Sequence, residues 1–338
     1  EACEKAMPGK PQVAVFDTAF HMTMPPKAYR YAIPTKYYTE DHLRRYGFHG
    51  TSHRFVSKRC IELMGGVENA HRVIVCHLGN GSSLSAVKDG KCQDTSMGLS
   101  PLAGVPMGTR AGDIDTCVAQ FIMNKYNMSA DDCLTMLNKK SGVLALSDGV
   151  SSDFRDLDAA AEKGNEAAQL ALDKFAYEVR KYIGAYAAAL GGVDCIVFTA
   201  GVGENSSSMR ASICDGLEYL GVKLDAEKNK LRGEEVIIST SDSKVTGYSM
   251  TMKADQEGAI VSVDASMKGK ELAMTMEMST PAVIDEASGV SIPGFTYTVT
   301  MDGTYSASST QPQTQPPAGA DVVDLMEQLT VEMDPVSV

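Results

Sequence analysis

Twice in this chain a short apolar run stops at a glycine-rich turn. Residues 73–76 (VIVC) lead into HLGNGSS (77–83), and VDCIVF (193–198) leads into TAGVGENSSS (199–208). Apolar runs this short, bounded by glycine, read as buried strands. Between them lies the strongest helical pattern of the chain. Leu172, Phe175, Val179, Ile183, Tyr186 and Leu190 recur every three or four residues over 165–190, and the pattern stops at Gly191 and Gly192. Buried strands separated by an amphipathic helix predict an α/β fold, with helices on the faces of a sheet.

The flanking segments extend this reading. Residues 83–87, an Asp-Gly turn at 89–90 and a further short run continue the first strand as antiparallel partners. Residues 13–16 and 236–240 read as additional strands. The adjacent Pro25 and Pro26 predict a loop without helix over 24–34. Residues 44–60 read as a loop entering a helix, with Thr51 or Ser52 as its cap. The Gly- and Pro-rich stretch 97–115 is a long ordered loop, a type that usually carries function.

Composition divides the chain in two. The net charge is −12 over 338 residues, but residues 246–338 hold 13 acids, 3 Lys and no Arg. All six His lie between His21 and His77, all eight Cys between Cys3 and Cys214, and nine of the 19 Met in the tail. A module boundary is therefore expected near residue 245. Beyond it, residues 258–266, 271–279 and 295–308 alternate apolar and polar side chains, the pattern of antiparallel strands with one wet face. Residues 311–320 (QPQTQPPAGA) read as a linker and 322–331 as a short amphipathic helix. The expected division is a remnant or linker over 1–12, a main α/β domain over 13–245, a small β module over 246–310, and the linker and helix over 311–338.

An acidic chain is a poor nucleic-acid binder, because phosphate neutralisation needs clustered bases. No apolar run reaches the ~18 residues of a membrane span, so neither nucleic acid nor membrane is an expected partner. Scattered single cysteines without CxxC pairs fit a reducing cytosol. No signal peptide is visible, and a start at Glu1 suggests an origin other than a natural N-terminus.

Five constellations carry chemistry. The turn at His77, Leu78, Gly79, Asn80 and Gly81 follows a buried strand and exposes backbone N–H groups that can cradle phosphate; the alternative is a plain tight hairpin. The segment Gly201, Val202, Gly203, Glu204 and Asn205 lies between a strand and a helix, where free N–H groups attract an anion; the alternative is an ordinary capped loop. Arg110, inside the 107–115 loop, can stabilise a transferring phosphoryl group; the alternative is a structural salt bridge, with Asp113 and Asp115 nearby. His49 and His53 stand four apart, but Gly50 places His49 ahead of the helix and no third metal ligand follows. His49 is read as an anion contact and His53 as structural. Asp17 ends the first apolar run, where a carboxylate either enters a site or satisfies nearby backbone.

Taken in order, FDTAFHMTMPP, YGFHGTSH, HLGNGSSLSAV, DTSMGLSPLAGVPMGTRAGDID, SGVLALSDGVSSDFRD and FTAGVGENS resemble the signatures of acetate kinase, in the acetate and sugar kinase/Hsp70/actin superfamily, over about residues 11–245. The resemblance implies an actin-like (ribonuclease H-like) domain with a mixed sheet. It implies reversible phosphoryl transfer from ATP to acetate, giving acetyl phosphate and ADP, with Mg2+. It makes Asp17 the catalytic carboxylate, and His49 and Arg110 the pair on the transferring phosphoryl group. His77 to Gly81 become the first ATP loop, and Gly201 to Asn205 the second. Asp153, Phe154 and Arg155 border the base and ribose. A homodimer and a cytoplasmic location follow. The family's N-x-G-S-S-S loop, the rest of its first domain with an acetate-binding Arg, and a late P-T-[DN]-E-E segment have no counterpart here, so no metal ligand is assigned. The expectation is retained nucleotide binding with little turnover. Other readings are a propionate or butyrate kinase, a non-catalytic truncated or fused product, and a fusion whose Met-rich β module binds a partner.

Overall fold

The computed structural model describes residues 14–250 throughout, residues 5, 8, 9 and 11 before them, and the strand backbones at 260–268, 271–280, 283–284, 291–292 and 295–304. The chain forms two compact units, Glu1–Met252 and Lys253–Val338.

The first unit is built on a six-stranded mixed sheet. Strands β1 (Arg72–Leu78), β2 (Ser82–Lys88) and β3 (Lys91–Thr95) form an antiparallel meander. Strand β4 (Cys195–Thr199) pairs parallel with β1, and β6 (Thr246–Ser249) parallel with β4. The two-residue β5 (Val236–Ile237) closes the far edge, giving the order β3-β2-β1-β4-β6-β5.

Burial on both faces explains the unbroken apolar runs. Ile74, Cys76 and Leu78 join Leu84, Ala86, Ile196 and Phe198 on one face, while Val73 and Val75 join Val87, Cys195 and Val197 on the other. Among the described residues, ten α-helices accompany the sheet. Single turns α1 (Pro26–Tyr29) and α2 (Lys36–Thr39) precede α3 (Gly50–Leu63), which covers the second face through Val56 and Cys60. Helices α4 (Thr116–Tyr126), α5 (Ala130–Lys139), α6 (Gly142–Leu146) and α7 (Phe154–Glu162) follow the long loop. Helix α8 (Glu166–Leu190) covers the first face with Phe175, Val179 and Ile183 fully buried. Asn165 caps it by accepting from the Ala168 N–H, and Gly191 ends it in the left-handed region at φ 73°. Helices α9 (Ala200–Asn205) and α10 (Ser207–Cys214) follow β4.

Several expectations need correction. Residues 14–16 form no strand: they pair with nothing among the described residues, and Val15 and Phe16 are exposed. Val13 lies outside the described residues. Pro26 does not forbid helix; it stands at the first position of α1, where its missing N–H is not needed. Only the first two residues of 236–240 enter the sheet. The compositional break at residue 245 is not the structural one, since β6 begins directly after it and Tyr248, Ser249 and Met250 are buried.

In the second unit, β7 (Ile260–Lys268), β8 (Glu271–Thr280) and β11 (Phe295–Thr304) form an antiparallel sheet ordered β11-β8-β7. Short strands β9 (Val283–Ile284) and β10 (Ser291–Ile292) pair with each other. This agrees with the alternating pattern. The linker at 311–320 and the helix at 322–331 lie outside the described residues.

Candidate active site

Strands β1 and β4 end side by side, with His77 in register with Thr199. The carboxyl ends of parallel strands are where α/β sheets bind ligands. After β1 the chain turns tightly: the Gly79 N–H donates to the Gly81 carbonyl at 3.2 Å and the Ser82 hydroxyl to the Gly79 carbonyl at 2.9 Å. Leu78 is buried in the core, while Asn80 is exposed.

After β4 the expected glycine loop is instead the short helix α9, entered through Ala200 at φ +64°. Glu204 turns back on it, its Oε1 accepting from the Ala200 N–H at 2.9 Å and the Thr199 hydroxyl at 3.2 Å. Asn205 Nδ2 donates to the Gly201 carbonyl at 3.0 Å. Gly203 is buried and a Cβ there would lie 3.3 Å from the Phe198 carbonyl carbon; Val202 packs on the core. Gly201 faces open space. Of these five residues it therefore leaves room for a ligand against its backbone.

His49 sits just before α3 with φ 58°, so it is His49, and not Thr51 or Ser52, that flanks the helix start, without a side-chain cap bond. This kink aims two successive N–H groups at Asp17: His49 donates to Asp17 Oδ2 at 2.6 Å and Gly50 to the Asp17 carbonyl at 2.8 Å. Asp17 thus satisfies backbone and stands beside His49 at once.

The long loop carries Arg110 to the same place. Gly108 donates to the Asn80 carbonyl at 3.0 Å. Helix α6 clamps the loop from behind: Val143 donates to the Met107 carbonyl at 2.9 Å and Leu144 to the Gly108 carbonyl at 3.1 Å. A Cβ on Gly81 would lie 3.3 Å from Arg110 Nη1 and 3.4 Å from His49 Nε2. Gly81, Arg110 and His49 therefore converge. Among the described residues the Arg110 guanidinium forms no ion pair; its one polar contact is Met107 Sδ at 3.7 Å. Asp113 takes the Gly104 N–H and the Tyr182 hydroxyl, and Asp115 caps α4, so neither serves Arg110. A half-buried guanidinium with no carboxylate is suited to an incoming anion.

Asp153, Phe154 and Arg155 divide. Phe154 is a core residue, its ring edge-on to Phe175 at 4.6 Å. Asp153 caps α7 and pairs with Arg155, whose hydrogen bonds hold its carboxyl down at about 2. The segment reaches the site through its neighbour Ser152, whose carbonyl lies 3.3 Å from where a Gly108 Cβ would stand.

A polar layer absent from the sequence-based expectations lies beneath these groups. The β1–β2 register sets His77 opposite Ser83 and Val75 opposite Ser85. Both serines face α3 and its buried His53: Ser83 Oγ lies 2.7 Å from His53 Nε2 and 2.9 Å from His49 Nδ1, and Ser85 Oγ 2.8 Å from His53 Nδ1. Ser52 Oγ lies 2.8 Å from His77 Nδ1, and the His77 ring stacks on His49 at 4.2 Å. Burial is the main cause that lowers the pKa of all four histidines His21, His49, His53 and His77, and it takes His77 to about 3. They are neutral at neutral pH. Arg210 is a second omission. Fully buried beneath α9, it donates to the carbonyls of Gly203 at 2.8 Å and Glu204 at 2.7 Å and to Asn229 Oδ1 at 2.8 Å. Alternating polar residues in β2 were the one available signal for the serines; a lone Arg in a helix offered none.

Among the described residues no group of three or more His, Cys, Asp or Glu could hold a metal. The described residues therefore form no all-protein cage for Mg2+, an ion usually held by one or two carboxylates together with nucleotide phosphates. No described helix is long and apolar enough to cross a membrane.

A mixed sheet with helices on both faces, and an unpaired Arg, a His, a glycine turn and a short glycine-containing helix gathered at its carboxyl end, defines an actin-like α/β domain. The chain belongs to the acetokinase family, whose family model matches residues 1–262, beyond the 11–245 span of the sequence resemblance. It is 61% identical over 245 residues to the acetate kinase of Treponema denticola, covering 72% of this chain and 62% of that one. Acetate kinase from Porphyromonas gingivalis superposes with a TM-score of 0.71 at 48% identity, over 74% of this chain and 63% of that one. A propionate kinase from Francisella tularensis subsp. tularensis SCHU S4 gives 0.70 at 41% identity, over 74% and 64%. The chain thus spans about 62% of the length of that Treponema relative.

Proposed function

We propose that this chain supplies the nucleotide side of a kinase that transfers a phosphoryl group between ATP and acetate. The observation that carries the reading is the convergence of His49 and the carboxylate-free Arg110 on Gly81. Phosphoryl transfer needs positioning and charge stabilisation more than covalent chemistry. In this reading Arg110 and His49 hold the equatorial oxygens of the phosphoryl group in flight, and Asp17 orients the acceptor end. Backbone N–H groups of Asn80, Gly81 and Gly201 receive the other phosphates. Asp153 and Arg155, exposed at the start of α7, border the nucleoside. Stabilisation of this kind requires both walls of a site, so turnover by the chain as given is expected to be low. Seven described cysteines, all free thiols, support a cytoplasmic location. Exposed Val118, Phe121 and Tyr126 on α4 support a homodimer.

Calorimetry with ADP and ATP tests the reading. Saturable heat with wild-type chain, weakened for ATP in Arg110→Ala, supports it. Absence of heat and of thermal shift at millimolar nucleotide overturns it. The likeness to a propionate kinase favours a second acceptor; relative rates of acyl phosphate formation with acetate and propionate decide between them.

A further inference from the structure

Beneath His49 runs a chain of hydrogen bonds with a buried end. Ser85 Oγ meets His53 Nδ1 at 2.8 Å, His53 Nε2 meets Ser83 Oγ at 2.7 Å, and Ser83 Oγ meets His49 Nδ1 at 2.9 Å. Ser83, Ser85 and His53 are fully buried. Among the described residues Ser83 and Ser85 have no other side-chain partner.

Each neutral histidine has one N–H and one acceptor nitrogen, and each hydroxyl has one hydrogen. Three arrangements therefore place one hydrogen in each contact. In one, Ser85 donates to His53 Nδ1, His53 Nε2–H donates to Ser83, and Ser83 donates to His49 Nδ1. Every hydrogen in the buried stretch is used. The His49 proton then resides on Nε2, the atom nearest Gly81. In the reverse arrangement His49 Nδ1–H donates to Ser83, Ser83 to His53 Nε2, and His53 Nδ1–H to Ser85. The Ser85 hydrogen is then left in the core with no acceptor, which is the costly state for a buried polar group. In the third, His53 Nε2–H and His49 Nδ1–H both donate to Ser83, whose own hydrogen is then buried without an acceptor, as costly as the reverse arrangement. The first arrangement wins in the buried stretch, and the choice is transmitted to the exposed end.

We propose that Ser85, His53 and Ser83 are positioning residues that hold His49 as its Nε2–H tautomer, so that it presents a hydrogen-bond donor beside Arg110. Two donors then face the point where an anionic oxygen would rest. A His49 in the other tautomer would present a lone pair and repel that oxygen. The use of this donor rests on the phosphoryl-transfer reading above; the direction of the chain does not.

Long-range 1H–15N correlation spectra of the full chain with 15N-labelled histidine test the proposal at neutral pH. His49 is assigned by the signals lost in His49→Asn. The expected result is a pyrrole-type Nε2 and a pyridine-type Nδ1 for His49. Ser83→Ala and Ser85→Ala should each move His49 toward a mixture of tautomers, and Ser85→Thr, which keeps the hydroxyl, should restore the wild-type pattern. His21, outside the chain of bonds, should not change and reports that the variants fold. Protonated Nδ1 on wild-type His49 overturns the proposal even if no variant folds. So does an unchanged His49 pattern in folded Ser83→Ala. A titration with inorganic phosphate runs in parallel. Nε2–H on His49 without any phosphate-induced shift sinks the functional reading and sustains the chain of bonds; phosphate shifts with Nδ1–H do the reverse.

Discussion

Gly50 is the residue at which the site tolerates least. A Cβ there would stand 2.1 Å from the Asp17 carbonyl oxygen, which already accepts the Gly50 N–H at 2.8 Å. Gly50→Ala must push Asp17 away from His49, and overpacking of this kind costs about 2 kcal/mol. A lowered urea midpoint with unchanged slope is the expected reading. The histidines make a prediction about pH. His77 titrates at about 3 in the fold against its ordinary 6.5. Above pH 6.5 neither folded nor unfolded His77 is charged, so native stability is full. Below 6.5 the unfolded chain takes up a proton that the fold refuses, and stability falls until about pH 3. Unfolding midpoints measured across this window should fall with acid, and less steeply in His77→Gln. Arg110 shows what the sequence could not settle at this scale. Two acids follow it within five residues, so taken alone it reads first as a salt bridge and only then as an anion site. The decision came from Tyr182, distant in sequence, and from Gly104 of the same loop, which together occupy Asp113.

Among elements, α9 depends most on something outside itself. It has six residues, begins at a positive φ, and ends on carbonyls held by Arg210. Arg210→Lys keeps the charge but cannot reproduce a planar fork of donors. Leaving buried carbonyls unpaired costs about 1–3 kcal/mol each, so Arg210→Lys should destabilise the unit by at least about 2 kcal/mol in urea unfolding. Amide exchange in α9 should rise before that in β4. The helices also show why some elements were legible and others were not. Helix α8 has ten buried residues on one face, and its 3.6-residue period was plain. Helix α4 buries none of its residues, and its apolar Val118 and Phe121 stay exposed, so no core contact fixes its face. Helix α9 is a glycine-rich helix held by tertiary bonds, and read as a loop for that reason.

For the whole molecule, the sheet crosses the compositional break. Strand β6 contributes Tyr248 to the core, and Met250, the residue directly after it, joins the same cluster. A chain ending at Met252 should melt cooperatively. One ending at Val245 loses those two side chains, worth about 4 kcal/mol of burial, and exposes the edge of β4. Circular dichroism melts of the two truncations should differ sharply, with the shorter aggregating. Charge, His, Cys and Met counts located the join only to within a few residues, because a buried strand of Thr, Gly, Tyr and Ser carries none of the counted residues. The amino-acid order by itself determined the α/β class, the meander at β1–β3, the long helix and the family. Each of these rests on local periodicity, on turn residues or on motif order, and all are written within a few dozen residues. Tertiary structure decided the rest: that Arg110 lacks a carboxylate, that His49 and Gly81 meet it, that Phe154 belongs to the core, and that two strand serines orient a histidine. Those facts depend on strand register and on which distant group reaches a donor first, and neither is encoded in any one segment.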